Sequence, residues 1–211
     1  SPSANEGRWD FDDFYKRRFE LGGDVCPTLS MGRKRVKDEG KDPFSVDAYV
    51  SYASYLYQYA ARYGSNKNVD PDTVKVAPGQ EKKIGLGVMR ALEPLNEPDG
   101  TWLGRIPYYT PFEHAAFLSM CYDGHEGKYK NVGVKQADPN FMMSMSGGAG
   151  LHYGRLRAMQ FWCKYNRKDG KLPFDVINAH CYCGKKLDAD GLAAKYGNVN
   201  LEDRDDQSQA V

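Results

Sequence analysis

The chain contains no apolar run long enough to cross a bilayer, so no membrane segment is expected. It shows no signal-peptide pattern, so any export leader is expected to have been removed or omitted. It carries no excess of either charge, with 29 Lys and Arg against 28 Asp and Glu. Its one basic run, "GRKRVK" at 32–37, reads as a solvated loop, and no nucleic-acid partner is expected. It lacks an even cysteine framework: Cys26, Cys121, Cys163, Cys181 and Cys183 are scattered and odd in number. "HCYC" at 180–183 has metal-ligand residue types but no second pair at suitable spacing. The cysteines therefore read as small buried hydrophobes, with no metal and no cofactor. No glycine-rich fingerprint follows the first expected strand, and "SGGAG" at 146–150 lacks the lysine of a phosphate loop.

What is present suffices for one sizeable core, expected over residues 1–196, with an acidic polar tail at 197–211. Tyrosine is abundant, at 15 residues. Tyr49, Tyr52, Tyr55, Tyr59 and Tyr63 fall mostly at helical spacing and predict one helix with an aromatic face on the core. Residues 10–21 read as an amphipathic helix stopped by Gly22 and Gly23. "DVCPTLS" at 24–30 reads as a buried strand, and residues 44–63 as a helix started by Asp42 and Pro43 and closed by Gly64. Residues 65–83 read as a long surface loop.

The pattern then repeats. "VMRALEP" at 88–94 is an expected strand. The helix from Thr110 has a capping box, with Pro111 at the first helical position and Glu113 at the third. "FMMSMS" at 141–146 is an expected strand, 151–166 a helix, "FDVINAHCY" at 174–182 a strand and 187–197 a short helix. Such alternation predicts a parallel sheet with right-handed crossovers, either open and doubly wound or a (β/α) barrel. Both architectures gather functional groups at the C-terminal ends of strands. Asn96 and Glu97 follow one such end, and His180 and Tyr182 lie at another, so all four should face one cleft. Glycoside hydrolysis needs a carboxylic acid to protonate the leaving oxygen, and it gains from an amide at the neighbouring sugar hydroxyl. Glu93 is a competing carboxylate, because an extended chain points Glu93 and Glu97 the same way.

"LEPLNEPDGTW" resembles the Asn-Glu-Pro signature at the end of the fourth barrel strand in clan A glycoside hydrolases. "INAHCYC" resembles the His-x-Tyr at the end of the sixth strand in several families of that clan. The resemblance implies an α/β fold of (β/α)8 TIM-barrel type and retaining hydrolysis of a β-linked poly- or oligosaccharide. It implies Glu97 as acid/base, with Asn96, His180 and Tyr182 binding substrate, in a secreted or periplasmic protein. Trp102, on the loop after Glu97, is the expected sugar platform, without a strict counterpart in the motif. The clan's nucleophile is a glutamate at the seventh strand. Downstream of Tyr182 stands only Glu202, with no apolar strand before it.

The expectation is accordingly a partial barrel of about four parallel strands, aligned with strands three to six. The nucleophile would lie outside this chain, and other chains or missing segments would complete the sheet. Two alternatives remain open from the residues. One is a carbohydrate-binding or structural protein that has lost catalysis. The other is an unrelated α/β enzyme with Glu97 as a proton-transfer base.

Overall fold

The computed structural model of the chain describes residues 5–6, 9–29, 36–104 and 108–180. The expected helix at 187–197, the acidic tail at 197–211, and Tyr182, Cys181 and Cys183 lie outside the described residues. Helix accounts for 42% of the structure. The elements are β1 (Asn5–Glu6), β2 (Trp9–Asp10), α1 (Phe11–Glu20), α2 (Val50–Tyr63), β3 (Ala91–Leu92), α3 (Pro111–Gly127), α4 (Val134–Ala137), β4 (Met142–Met143) and α5 (Tyr153–Asn166). Three short 3-10 turns cover Val46–Tyr49, Pro71–Thr73 and Thr101–Leu103.

The helices obey local rules. The Asp10 side chain caps α1 by accepting from Asp13 N, with Asp12 and Asp13 in the first turn and Arg17 and Arg18 in the last. The expected 44–63 helix begins later, as a 3-10 turn at Val46 that passes into α2 at Val50. Gly64 ends it because nothing larger fits: a Cβ there would stand 2.5 Å from Ala60 O and 2.6 Å from Asp138 Oδ2. The α3 capping box forms as expected. Thr110 Oγ1 accepts from Glu113 N at 3.3 Å, and Glu113 Oε2 accepts from Thr110 N at 2.7 Å. Past Tyr122 the helix breaks, with left-handed backbone at Gly124, His125 and Glu126.

The core lies where α2 packs on α3 and α4 and where α3 packs on α5. Tyr49, Tyr52, Leu56, Phe117, Leu118 and Met159 are fully buried there, and Tyr59 and Tyr63 bury the other end of the tyrosine face. Full burial of such a side chain contributes about 1.5–3 kcal/mol. A buried ion pair ties α1 to α2. Arg62, 2% exposed, donates to both Asp12 oxygens at 2.9 and 2.7 Å, and Lys83 adds a third contact at 3.0 Å. Burial opposes ionisation of Asp12, but Arg62 and Lys83 outweigh it and hold the carboxyl below its usual range. Cys121 and Cys163 are buried as expected, whereas Cys26 is exposed.

The expected partial (β/α)8 barrel with about four parallel strands is overturned. The described chain is mostly helical, and its only parallel ladder is β3 against β4, two residues each. The segments read as strands at 24–30 and 174–182 form single parallel bridges, Thr28 with Glu93, Ser144 with Val176 and Gly148 with Ala179. Local chemistry explains the short pairing. Pro27 and Pro94 have no N–H to donate, and Glu97 and Ser146 adopt φ of 46° and 89°, outside the extended region. Apolar runs there satisfy burial without a continuous ladder. The bridges still place four extended stretches side by side, 27–29 next to 91–97, 91–97 next to 142–148 and 142–148 next to 175–180. That order positions the site.

Candidate functional site

Glu97 ends the 91–97 stretch. Its N–H bonds Gly147 O at 2.7 Å, and Gly147 N bonds Leu95 O at 3.2 Å, so the neighbouring stretch holds the turn from both sides. Glu97 is the residue before a proline, a position that already favours extended backbone, yet its φ is 46°. A left-handed non-glycine residue costs about 1–2 kcal/mol. Ser146, next to the partner residue Gly147, is also left-handed. Two such residues at one end of adjacent stretches mark a place where packing overrides local preference.

His180 comes from the 175–180 stretch, its N–H bonded to Gly148 O at 2.6 Å. Its Nδ1 lies 2.8 Å from Glu97 Oε1. The Glu97 side chain is 10% exposed and that of His180 30%, so the pair is sheltered but reachable. Residues 83 apart in sequence thus share one proton position. Such a pair can pass a proton to or from a bound group when the carboxyl is aimed at it.

Glu93, 6% exposed, stands beside this pair. Its Oε1 accepts from Thr28 Oγ1 at 2.9 Å, and its Oε2 accepts from the Asn178 amide. Asn96 is half-buried, and among the described residues nothing is bonded to its amide. Trp102 lies on the Thr101–Leu103 turn, 64% exposed, its ring against Gly100. The structure therefore brings Glu97 and His180 into contact and leaves Trp102 facing solvent further along the Glu97 loop. Tyr182 lies outside the described residues.

Two nearby features have structural explanations. Ser146 Oγ lies 3.3 Å from His114 Nε2, which resembles a nucleophile and its base. Arg155, however, faces His114 Nδ1 at 3.2 Å, and a guanidinium only donates. Nδ1 is therefore the acceptor and Nε2 carries the proton, so His114 has no lone pair for the serine. Burial, with Arg155 adding to it, pushes the His114 imidazole well below its ordinary range and keeps it neutral. The glycine loop at 147–149 is not a phosphate cradle either. Its N–H groups go to Leu95 O, Asn178 O and Asp99 Oδ1.

A cleft of about 720 Å³ opens against α2, between Tyr55, Asp72, Lys75 and Lys130. It is roomy but is lined by a single carboxylate and no histidine. Among the described residues no three His, Cys, Asp or Glu side chains are arranged to hold a metal ion.

Comparison with known proteins gives no match to a family model, to a curated protein or to a solved structure.

The residues that sequence reasoning missed are Asn178, Gly147 and Thr28. Asn178 had a signal, since it lies two residues before His180 and shares its side of an extended chain. Gly147 and Thr28 had none, because their roles depend on which stretches become neighbours.

Proposed function

We propose that the protein is glycoside hydrolase-like, acting on a β-linked poly- or oligosaccharide with Glu97 as the acid/base residue. The observation that carries this reading is the 2.8 Å contact between Glu97 and His180, on a backbone turn held against its local preference. A sheltered carboxyl beside an imidazole suits protonation of a leaving oxygen. Asn96, adjacent and with an amide that has no partner among the described residues, suits a sugar hydroxyl next to the cleaved bond. Trp102, exposed on the same loop, suits the apolar face of a sugar ring. Glu93 accepts from Thr28 and Asn178; the nucleophile is assigned to a carboxylate outside this chain, as the resemblance to clan A implies. A retaining mechanism places it about 5 Å from Glu97.

The test is Glu97→Gln in a protein that joins these residues to the second carboxylate. Gln keeps the shape and removes the transferable proton. Cleavage of substrates with poor leaving groups should fall about 100-fold or more, and cleavage of activated aryl glycosides should fall less. Unchanged turnover of natural β-glycans would remove Glu97 from the mechanism. Residues 1–211 alone should bind such glycans without cleaving them; binding that survives removal of both Trp102 and Asn96 would point to a different surface.

A further inference from the structure

Glu93 and Glu97 leave the same extended stretch on the same side, four residues apart. Their partners, Asn178 and His180, stand two residues apart on a stretch that is not their neighbour. Between them runs 142–148. Both carboxylates reach across it, and the crossing point is Gly147. A Cβ at Gly147 would stand 2.4 Å from His180 Nε2 and 2.9 Å from each Glu93 oxygen. Any side chain there would occupy the space that the imidazole and the carboxylate now share.

Two rungs thus cross one glycine window: Glu97 to His180, and Glu93 to Asn178. The second rung is firmly built. Thr28, from yet another stretch, donates to the Glu93 oxygen that Asn178 does not use. The orientation of the Asn178 amide is fixed by charge, since its oxygen cannot face a carboxylate. That orientation leaves Asn178 Oδ1 buried and, among the described residues, without a hydrogen-bond partner. A buried acceptor left unpaired is costly, so the Glu93–Asn178 bond must be worth more than the alternatives open to the amide.

We propose that Glu93 is a positioning residue: through Asn178 and Thr28 it sets where the His180 ring stands relative to Glu97, and Gly147 is the opening that permits it. This rests on Glu97–His180 being the working pair. Glu93 touches no substrate in this account. It fixes the 175–180 stretch two residues before His180, on the side that faces Glu97.

The test uses the full chain with ¹⁵N-labelled histidine and reads the ring nitrogens of His180, assigned by His180→Asn. In the wild type these signals should report a single held ring and should change in Glu97→Gln. Glu93→Ala and Asn178→Ala remove the second rung from opposite ends. Each should move the His180 signals toward those of a free, exchanging imidazole while the other histidines keep theirs. Glu93→Gln can still accept from Asn178 and donate to Thr28, so it should restore the wild-type pattern. If Glu93→Ala does not fold, Asn178→Ala and Glu93→Gln decide. Wild-type His180 signals in folded Glu93→Ala or Asn178→Ala would overturn the proposal.

A kinetic readout separates the two claims. In a hydrolytically competent protein, Glu93→Ala should lower kcat about 10- to 100-fold with KM little changed, and Glu93→Gln should recover most of it. If a protein that joins these residues to the second carboxylate shows no Glu97-dependent hydrolysis, the glycosidase reading fails while the ring signals still decide the positioning role.

Discussion

The α2–α3 side of the molecule and the ends of the extended stretches were built by different rules. At the start of α3, the Thr110 capping box, Pro111 and the buried Phe117–Leu118–Met120 face all agree with local preference, and only its far end departs, turning left-handed at His125 and Glu126. At Glu97 almost nothing does. A charged residue before a proline turns left-handed, its neighbour across the bridge sits beside another left-handed residue, and two carboxylates lie within a few residues under cover. Consistency across levels marks scaffold, and concentrated violations mark a place retained for something other than stability. That contrast is the physical argument for the site.

The contrast breaks first at Gly147. Its backbone suits alanine, so Gly147→Ala tests only the space. The new methyl should drive His180 from Glu97 and lower any Glu97-dependent activity about 100-fold, while far-UV circular dichroism shows the helices intact. An active Gly147→Ala would show that the window is not needed.

The scaffold should fail in the opposite manner. Asp12→Ala leaves the Arg62 guanidinium buried and unpaired, and should cost about 3–5 kcal/mol in urea unfolding without altering the His180 ring signals. Its pH dependence has a definite sign. The folded carboxyl of Asp12 sits below its unfolded value, so its stabilisation is present above about pH 4 and is lost as pH falls through the folded value. Wild type and Asp12→Ala should converge in stability in strong acid. Curves that stay parallel down to about pH 2 would contradict the pairing.

The scaffold half was the more legible in the sequence, and for local reasons. Thr110, Pro111 and Glu113 announce a helix start by their own side chains, and Gly64 announces a stop. The tyrosine spacing gave the buried face of α2, although the 3-10 turn at Val46–Tyr49 did not show in the pattern. The fold class was misread because "VMRALEP" and "FMMSMS" carry the apolar content of strands. Whether such a run joins a ladder depends on its neighbours' donors and on turns such as Glu97 and Ser146, which no short window displays. Glu97 and His180 were expected to face one cleft from the ends of two strands of a full sheet; the structure puts them in contact at the ends of stretches that make only a short ladder and single bridges. Asn178 and Gly147 were not anticipated, since their roles exist only once 142–148 lies between the 91–97 and 175–180 stretches. The Arg62–Asp12 pair was equally hidden, 50 residues apart.

Smaller effects sharpen the same contrast. Thr110→Ala removes a side-chain cap and should cost about 1 kcal/mol, the ordinary price of that motif. Glu97→Gly deletes a buried, hydrogen-bonded side chain, yet it also relieves a left-handed glutamate. It should leave stability unchanged or raise it by up to about 1 kcal/mol, while abolishing the proposed acid/base function. A loss of more than about 2 kcal/mol would mean that Glu97 is there for stability, and the argument from strain would fall.

The most direct test of the central claim is a crystal structure of residues 1–211 with a β-linked oligosaccharide. The account predicts a glycosidic oxygen within hydrogen-bond reach of the Glu97 carboxyl, a neighbouring sugar hydroxyl on the Asn96 amide, and Glu93 still bonded to Thr28 and Asn178. Sugar bound only in the cleft against α2, with Glu97 and His180 untouched by it, would contradict the assignment.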